Sequence, residues 1–278
     1  EAIARLYAAK GRPSFNPLIA HVPSVDDALP LGDFSTDARR LAAHFWPGAL
    51  TLVVPVSPAS PVCELARAGL PSLAIRVPDH PVAQAILKAA ARPIAAPSAN
   101  RSGHVSPSLA AHVKADLDGI IDAIVDGGPT PIGVESTILG CLEDRVIMLR
   151  PGGIAREMIE AVLGYPLAEK AGDEAAPLAP GRLTSHYAPA HRLRLDARSV
   201  MPGEACLAFG PDLPPGATPD LTVTLSQTGN LAEAASRLYQ SLRALDSLSI
   251  TGIAVAPIPA HGLGEAIRDR LMRAAAPK

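Results

Sequence analysis

Ser72-Leu73-Ala74-Ile75-Arg76-Val77-Pro78-Asp79-His80-Pro81, with the apolar-periodic run that continues to Ala90, is the stretch from which the fold can be read. Residues 72–77 have the composition of a buried strand, and residues 81–90 read as a helix opening on a proline at its first position. The same alternation runs outward in both directions. Strands are expected at 18–22, 51–56, 94–96, 123–126, 136–139 and 145–149, and helices at 2–10, 35–45, 106–116 and 154–163. Mixing of this kind predicts an α/β or α+β domain, a twisted mixed sheet covered by helices.

With 278 residues the chain exceeds the usual size of one domain, so two are expected. A hydrophobic fraction of 48% with 19% charged residues places it in the globular class, and only 3% aromatics means a core of Ala, Leu, Ile and Val. Lys and Arg number 25 against 27 Asp and Glu, so no net charge attracts nucleic acid or an anionic membrane, and strong direct nucleic-acid binding is not expected. Cys63, Cys141 and Cys206 are far apart and form no CxxC pair, which reads as buried free thiols in a reducing compartment. No apolar run reaches a membrane span and the start does not look like a signal peptide, so a cytoplasmic protein with no membrane partner is expected.

The expected domains are 1–165, a linker at 166–192, and a smaller unit at 193–278. The linker is rich in Ala and Pro and then carries Ser185-His186-Tyr187-Ala188-Pro189, which reads either as passive or as a segment folding back over a site. The last unit has a strand at 205–208, a long amphipathic helix at 231–245, a buried strand at 252–257 and a closing helix at 264–276. Its rhythm is Rossmann-like without a GxGxxG phosphate loop, and nothing in it reads as catalytic.

Two short polar signatures carry the chemistry. Lys10-Gly11-Arg12-Pro13-Ser14-Phe15-Asn16-Pro17 and Pro97-Ser98-Ala99-Asn100-Arg101-Ser102-Gly103 each combine compact donors with Gly or Pro, as an anion-handling site requires. Lys10 and Arg12 are either partners of a helix dipole or neutralisers of phosphate; Pro13, Asn16 and Pro17 stiffen the loop and favour phosphate. His21, at a strand end, is structural or a donor or base facing a pocket. Ser72 and Arg76 share a strand face, where Arg76 is an edge residue or a carboxylate clamp. Ser106 and Asn100 serve as an ordinary helix cap and turn, or line an anion site at a strand end. Further Gly-flanked polar groups occur at 127–129, 133–137 and 149–153. There is no nucleophile triad, no HExxH and no Walker A sequence, which favours a reaction run by positioning and charge stabilisation.

At these residues the chain resembles the YrdC-domain family in its long, two-domain form, the L-threonylcarbamoyladenylate synthases. Lys10-Gly11-Arg12 and Ser98-Ala99-Asn100 are similar to the family's KxR and SxN signature. Trp46-Pro47-Gly48, Arg76 to Pro81, Gly133 to Thr137 and Leu149 to Gly153 are similar to its other blocks, and Ser185 to Pro189 to its interdomain linker. The resemblance implies a nucleotidyltransferase that makes threonylcarbamoyl-AMP and pyrophosphate from L-threonine, bicarbonate and ATP for the t6A37 modification of tRNA. The product would pass to the tRNA threonylcarbamoyl-transferase machinery. It further implies ATP contacts at Lys10, Arg12, Asn16, Ser72, Ser98, Asn100, Ser106, Arg150, His186 and Tyr187, with Lys10 and Arg12 catalytic, and threonine contacts at His21, Arg76, Ser136 and the backbone of Ala96. Ser72 stands where the family has Thr and keeps the hydroxyl. Mg2+ is expected with ATP, without a dedicated carboxylate cage.

Against the family pattern the chain is expected to lack a first strand and a Pro-Thr-Glu-Thr-Val-Tyr-Gly-Leu-like loop that supplies threonine and nucleotide contacts. Two rival readings are a YrdC-like module that binds double-stranded RNA without catalysis and an enzyme transferring a carbamoyl group. The balanced charge argues against the first. The Ser-His-Tyr linker and the trailing domain argue against the second.

Overall fold

The computed structural model describes residues 1–142, 144–168 and 187–277. Among them no helix is long and apolar enough to cross a membrane. They cluster into two compact units, one of Glu1–Pro97 with the described part of Glu135–Arg182, the other of Ser98–Val134 with the described part of Leu183–Lys278.

The first unit begins with α1 (Ala2–Lys10), which stops where Gly11 takes a left-handed conformation, φ 58°. Then come β1 (Ile19–His21), α2 (Val25–Ala28) and α3 (Thr36–Phe45). Ser35 caps α3 by accepting from the Ala38 N–H at 3.2 Å, and the helix buries Ala38, Leu41, Ala42 and Phe45, the stripe its spacing predicts. After β2 (Leu50–Pro55) and β3 (Ser72–Arg76), α4 (Pro81–Ala90) starts on its proline, and β4 (Ile94–Ala95) follows. The chain contributes α5 (Ala110–Leu117) to the second unit, then returns with β5 (Thr137–Gly140), β6 (Ile147–Arg150) and α6 (Arg156–Leu163), which packs on α3.

These strands form one mixed sheet in the order β4-β1-β3-β2-β5-β6. Leu50 to Val54 of β2 are buried throughout, because β2 lies between β3 and β5 and a central strand covered on both faces reads as an unbroken apolar run. The pairing directions decide which strand ends meet. β1 and β3 are parallel and finish side by side, His21 opposite Arg76; β2 runs against β3, so it starts at that end. β5 is parallel to β2, with Thr137 opposite Leu50, and β6 returns antiparallel to finish at Arg150. The last residues of β1, β3 and β6 and the first of β2 and β5 therefore share one edge of the sheet.

The second unit contains β7 (Leu193–Arg194), β8 (Glu204–Ala208), β9 (Thr222–Thr224), α7 (Leu231–Asp246), β10 (Gly252–Val255) and α8 (Leu263–Ala275). Its four-stranded sheet, in the order β7-β10-β8-β9, is parallel throughout, and α7 packs against α8. Asn230 caps α7 by accepting from the Ala232 and Glu233 N–H groups. Leu238, Tyr239 and Leu242 of α7 and Ile267 and Leu271 of α8 meet Leu207 and Ile253 of the sheet in the core.

Two expected elements differ. Residues 123–126 form no strand: Val125 is 66% exposed, no ladder forms there, and Asp126 closes a turn by accepting from the Gly128 N–H. A short β-branched run has strand character only against a partner. The helix expected from 106 begins at Ala110, so Ser106 does not cap it; the Nδ1 of His112 accepts from the Ser108 N–H instead, taking a donor ahead of the first turn. The small strands β7 and β9 were too short to register as patterns. Of the cysteines, Cys141 and Cys206 are buried but Cys63 is exposed.

Candidate functional site

At the shared strand edge of the first unit, Arg150 is buried and its guanidinium rests on Ser136. Its Nε and Nη2 donate to the Ser136 carbonyl oxygen at 3.3 and 2.8 Å, and Nη2 also reaches Ser136 Oγ at 3.3 Å. Ser136 Oγ is in turn 2.7 Å from Thr51 Oγ1 of β2. From β3, Arg76 donates its Nε to the Gly48 carbonyl at 3.0 Å, just before β2. That bond fixes the guanidinium where the strand ends, and Gly48 is held by its own N–H on the Val77 carbonyl at 2.8 Å.

The electrostatics of this edge are cationic. Burial lowers the pKa of Arg76, and the positive charge of Arg150 lowers it further, while Asp79 works the other way. His21, opposite Arg76 in the ladder, is pushed down to about 4, chiefly by burial and then by Arg76. The imidazole is therefore neutral near pH 7, and its Nδ1–H donates to the Ile19 carbonyl at 3.1 Å. Two guanidinium groups, one hydroxyl and a neutral ring are the parts of a carboxylate or phosphate receptor.

The loop after α1 is organised by Arg12. Its Nε and Nη2 donate to the carbonyls of Asn16 and Pro17 at 3.2 and 2.9 Å, and the Tyr7 hydroxyl donates to the same Asn16 carbonyl at 2.9 Å. Two of the three guanidinium nitrogens thus hold the loop in shape. Lys10 is buried in the last turn of α1. The Asn16 side chain is fully buried, and among the described residues neither its Nδ2 nor its Oδ1 has a hydrogen-bond partner. A buried amide left unpaired is costly, so its retention points to a ligand that completes it.

Ser72 is buried at the start of β3, the opposite end from Arg76, four residues and about 13 Å away along an extended strand. It falls at the end where β1 begins, since Ile19 pairs with Ala74. Arg150, expected on nucleotide, donates to Ser136, expected on threonine. The Ala96 N–H is taken by the Ile19 carbonyl at 3.2 Å, which leaves its carbonyl as the backbone group to offer.

From Ser98 on, the second signature belongs to the second unit. Asn100 is buried and its Nδ2 donates to the Arg101 and His104 carbonyls at 3.0 and 2.9 Å, so it shapes the turn around Gly103. Ser98 is half-buried and Ser106 is buried. Tyr187 is packed in the core of this unit: its ring stacks on Tyr239 with centroids 5.6 Å apart and lies 5.4 Å from the Arg270 guanidinium carbon. Its ring faces anchor the linker's end, a role its sequence context did not suggest. His186 lies outside the described residues.

Thr51 is a site residue that sequence reasoning passed over, and Gly152 was read only as part of the Gly-flanked run 149–153. Thr51 stands inside a strand with no polar neighbour to draw attention to it. A Cβ on Gly152 would meet Glu135 O, Ser136 C and Thr137 N, each at 2.4 Å, so only glycine lets the loop after β6 press against the backbone that carries Ser136. Thr137 Oγ1 closes that loop by donating to the Ile154 carbonyl and accepting from the Ile154 N–H. The run of Gly-flanked residues at 149–153 was the available signal. Among the described residues no group of three or more His, Cys, Asp or Glu could hold a metal ion.

Comparison with known proteins identifies the family. A family model described as telomere recombination, Sua5_yciO_yrdC, matches residues 1–152, and one described as threonylcarbamoyl-AMP synthase, C-terminal domain, matches residues 154–276. A threonylcarbamoyl-AMP synthase of Bacillus subtilis is 41% identical, the match covering 99% of this chain and 84% of that protein. One of Pyrococcus abyssi is 36% identical over 98% of this chain and 84% of its own length. The crystal structure of P. abyssi Sua5 complexed with L-threonine matches with a TM-score of 0.88 at 34% identity, covering 99% of this chain and 84% of that one. By its matched domains and its relatives, the chain belongs to the Sua5/YrdC family, in the form that carries the threonylcarbamoyl-AMP synthase C-terminal domain.

Proposed function

We propose that this chain joins L-threonine, bicarbonate and ATP into threonylcarbamoyl-AMP and pyrophosphate. The observation that carries the reading is the edge of the first sheet, where Arg76, Arg150 and the Ser136 hydroxyl stand together beside a neutral His21. Arg76 takes the threonine carboxylate, because a guanidinium fork binds both oxygens of a planar anion. The neutral threonine amine adds CO2 from the bicarbonate pool and loses a proton, giving an N-carboxylate. One of its oxygens attacks the α-phosphorus in line; the bond from that phosphorus to the bridging oxygen breaks, and the electron pair leaves on pyrophosphate.

The buried amide of Asn16 and the charges of Lys10 and Arg12 are assigned to the nucleotide, where fixed donors act on charge that grows in the transition state. For Ser72, Ser98, Asn100, Ser106, His186 and Tyr187 the nucleotide role rests on the family resemblance. Mg2+ would accompany ATP on phosphate and water oxygens, since the described residues do not form a cage for it. The reading places the reaction in the cytoplasm, ahead of the enzymes that transfer the threonylcarbamoyl group to tRNA, and it takes 1–165 and 193–278 as the two domains.

The test is pyrophosphate release from ATP measured with both, either or neither of L-threonine and bicarbonate. Release that needs both supports the synthase. Release with carbamoyl phosphate in their place, or salt-sensitive binding of double-stranded RNA without turnover, supports a rival.

A further inference from the structure

The hydroxyl of Thr51 is fully buried, and among the described residues its only hydrogen-bond partner is Ser136 Oγ, at 2.7 Å. Either hydroxyl could donate in an isolated pair, but the surroundings break the tie. If Ser136 donated to Thr51, the Thr51 proton would be buried with no acceptor, at the full desolvation penalty of that group. If Thr51 donates, one proton is again left over, that of Ser136, but it lies at the strand end just before β5 and not inside a strand, where Thr51 is fully buried. Ser136 Oγ then accepts twice, from Thr51 and from Arg150 Nη2 at 3.3 Å, which uses both of its lone pairs. The remaining proton, that of Ser136 itself, has no acceptor among the described residues. It stands at an edge carrying the buried Arg150 and the half-buried Arg76, where the group that would accept it is an anionic oxygen.

We infer that Thr51 is a positioning residue for the amino-acid substrate: by donating to Ser136 it turns Ser136 into a committed donor toward a carboxylate oxygen held beside Arg76 and Arg150. The inference rests on the functional reading for the identity of that carboxylate, though not for the order of the hydroxyls. Thr51 itself touches no substrate. Its effect is to remove the alternative in which the Ser136 proton is spent inside the protein, a loss of preorganisation that shows in binding more than in turnover.

The experiment is steady-state pyrophosphate release by Thr51→Val, which keeps the shape and deletes the hydroxyl, and by Thr51→Ser, which keeps the hydroxyl. Thr51→Val is expected to raise KM for L-threonine about three- to tenfold with kcat within about twofold, the size of one lost hydrogen bond, and Thr51→Ser to stay near wild type. Wild-type KM in Thr51→Val, an equal rise in both variants, or a change confined to kcat overturns the inference. Should Thr51→Val not fold, Thr51→Ala against Thr51→Ser gives the same contrast, and equal KM values in those two overturn it. A wild-type protein without threonine-dependent release refutes the functional reading instead. The hydroxyl order is then read from calorimetric binding of pyrophosphate: weakening by Thr51→Val with recovery in Thr51→Ser supports it, and equal binding overturns it.

Discussion

The positive charge of Arg150, at the end of β6, opposes that of Arg76, at the end of β3, across the two intervening strands of the sheet. Asp79 offsets part of this at Arg76, and a further anion at the strand end would relieve the rest. Arg76→Lys keeps the charge and loses the planar fork. It is expected to raise KM for L-threonine about ten- to a hundredfold with a smaller fall in kcat, measured by initial rates of pyrophosphate release. An unchanged KM would remove the clamp from the mechanism.

Asn16 offers the opposite signature. Its amide is buried and without a hydrogen-bond partner among the described residues, so Asn16→Ala removes a group that destabilises the ligand-free fold. The variant is expected to be as stable as wild type or more so in urea, within about 1 kcal/mol, while its KM for ATP rises at least severalfold. Loss of stability with unchanged nucleotide affinity would make Asn16 a structural residue.

A pH dependence follows from His21. Its folded pKa, about 4, lies below its ordinary 6.5, so between these values the unfolded chain binds more protons than the native one. The associated stability is complete above pH 6.5 and is lost as the pH falls toward 4, by about 3 kcal/mol at most. Carboxylates such as Glu204, held below the usual range by its hydrogen bond to Arg194, act only at lower pH. Urea midpoints at pH 7, 6 and 5 should therefore fall in wild type and fall less steeply in His21→Gln, where His112, also lowered by burial, retains part of the slope. Parallel slopes in the two proteins would contradict the burial of a neutral imidazole.

Gly152→Ala tests how the edge is supported. The added methyl would lie 2.4 Å from backbone atoms of residues 135–137, and none of these is a flexible side-chain end that can swing away. We expect a loss of about 1–3 kcal/mol in stability together with a fall in turnover, because the displaced backbone carries Ser136. Gly164→Ala, where a Cβ meets nothing within 4 Å and only φ 81° is unfavourable, is the comparison. Its turnover should stay near wild type in pyrophosphate release.

Arg12→Ala and Lys10→Ala are both expected to cut turnover roughly tenfold to a thousandfold, as the loss of one preorganised charge donor does. They should differ in stability. Arg12 holds the Asn16 and Pro17 carbonyls, so its removal loosens the loop and lowers the urea midpoint as well. Adenylate formation undiminished by Lys10→Ala would end its catalytic assignment.

The local order of strands and helices was legible from residues such as 72–90, because hydrophobic period and helix-start signals act over a few neighbours and a Pro or Gly marks each turn. The polar signatures were legible for the same reason, as at Lys10-Gly11-Arg12 and Ser98-Ala99-Asn100. What the chain could not disclose locally is anything set by pairing between distant segments. The order β4-β1-β3-β2-β5-β6 alone brings His21, Arg76, Ser136 and Arg150 to one edge, and places Thr51 under Ser136. The clustering of Ser98–Val134 with C-terminal residues, and the burial of Tyr187 against Tyr239 and Arg270, are likewise outcomes of which apolar surfaces met. Burial is a property of the whole packed unit, whereas periodicity belongs to a single segment, and that difference separates what was readable in one dimension from what required three.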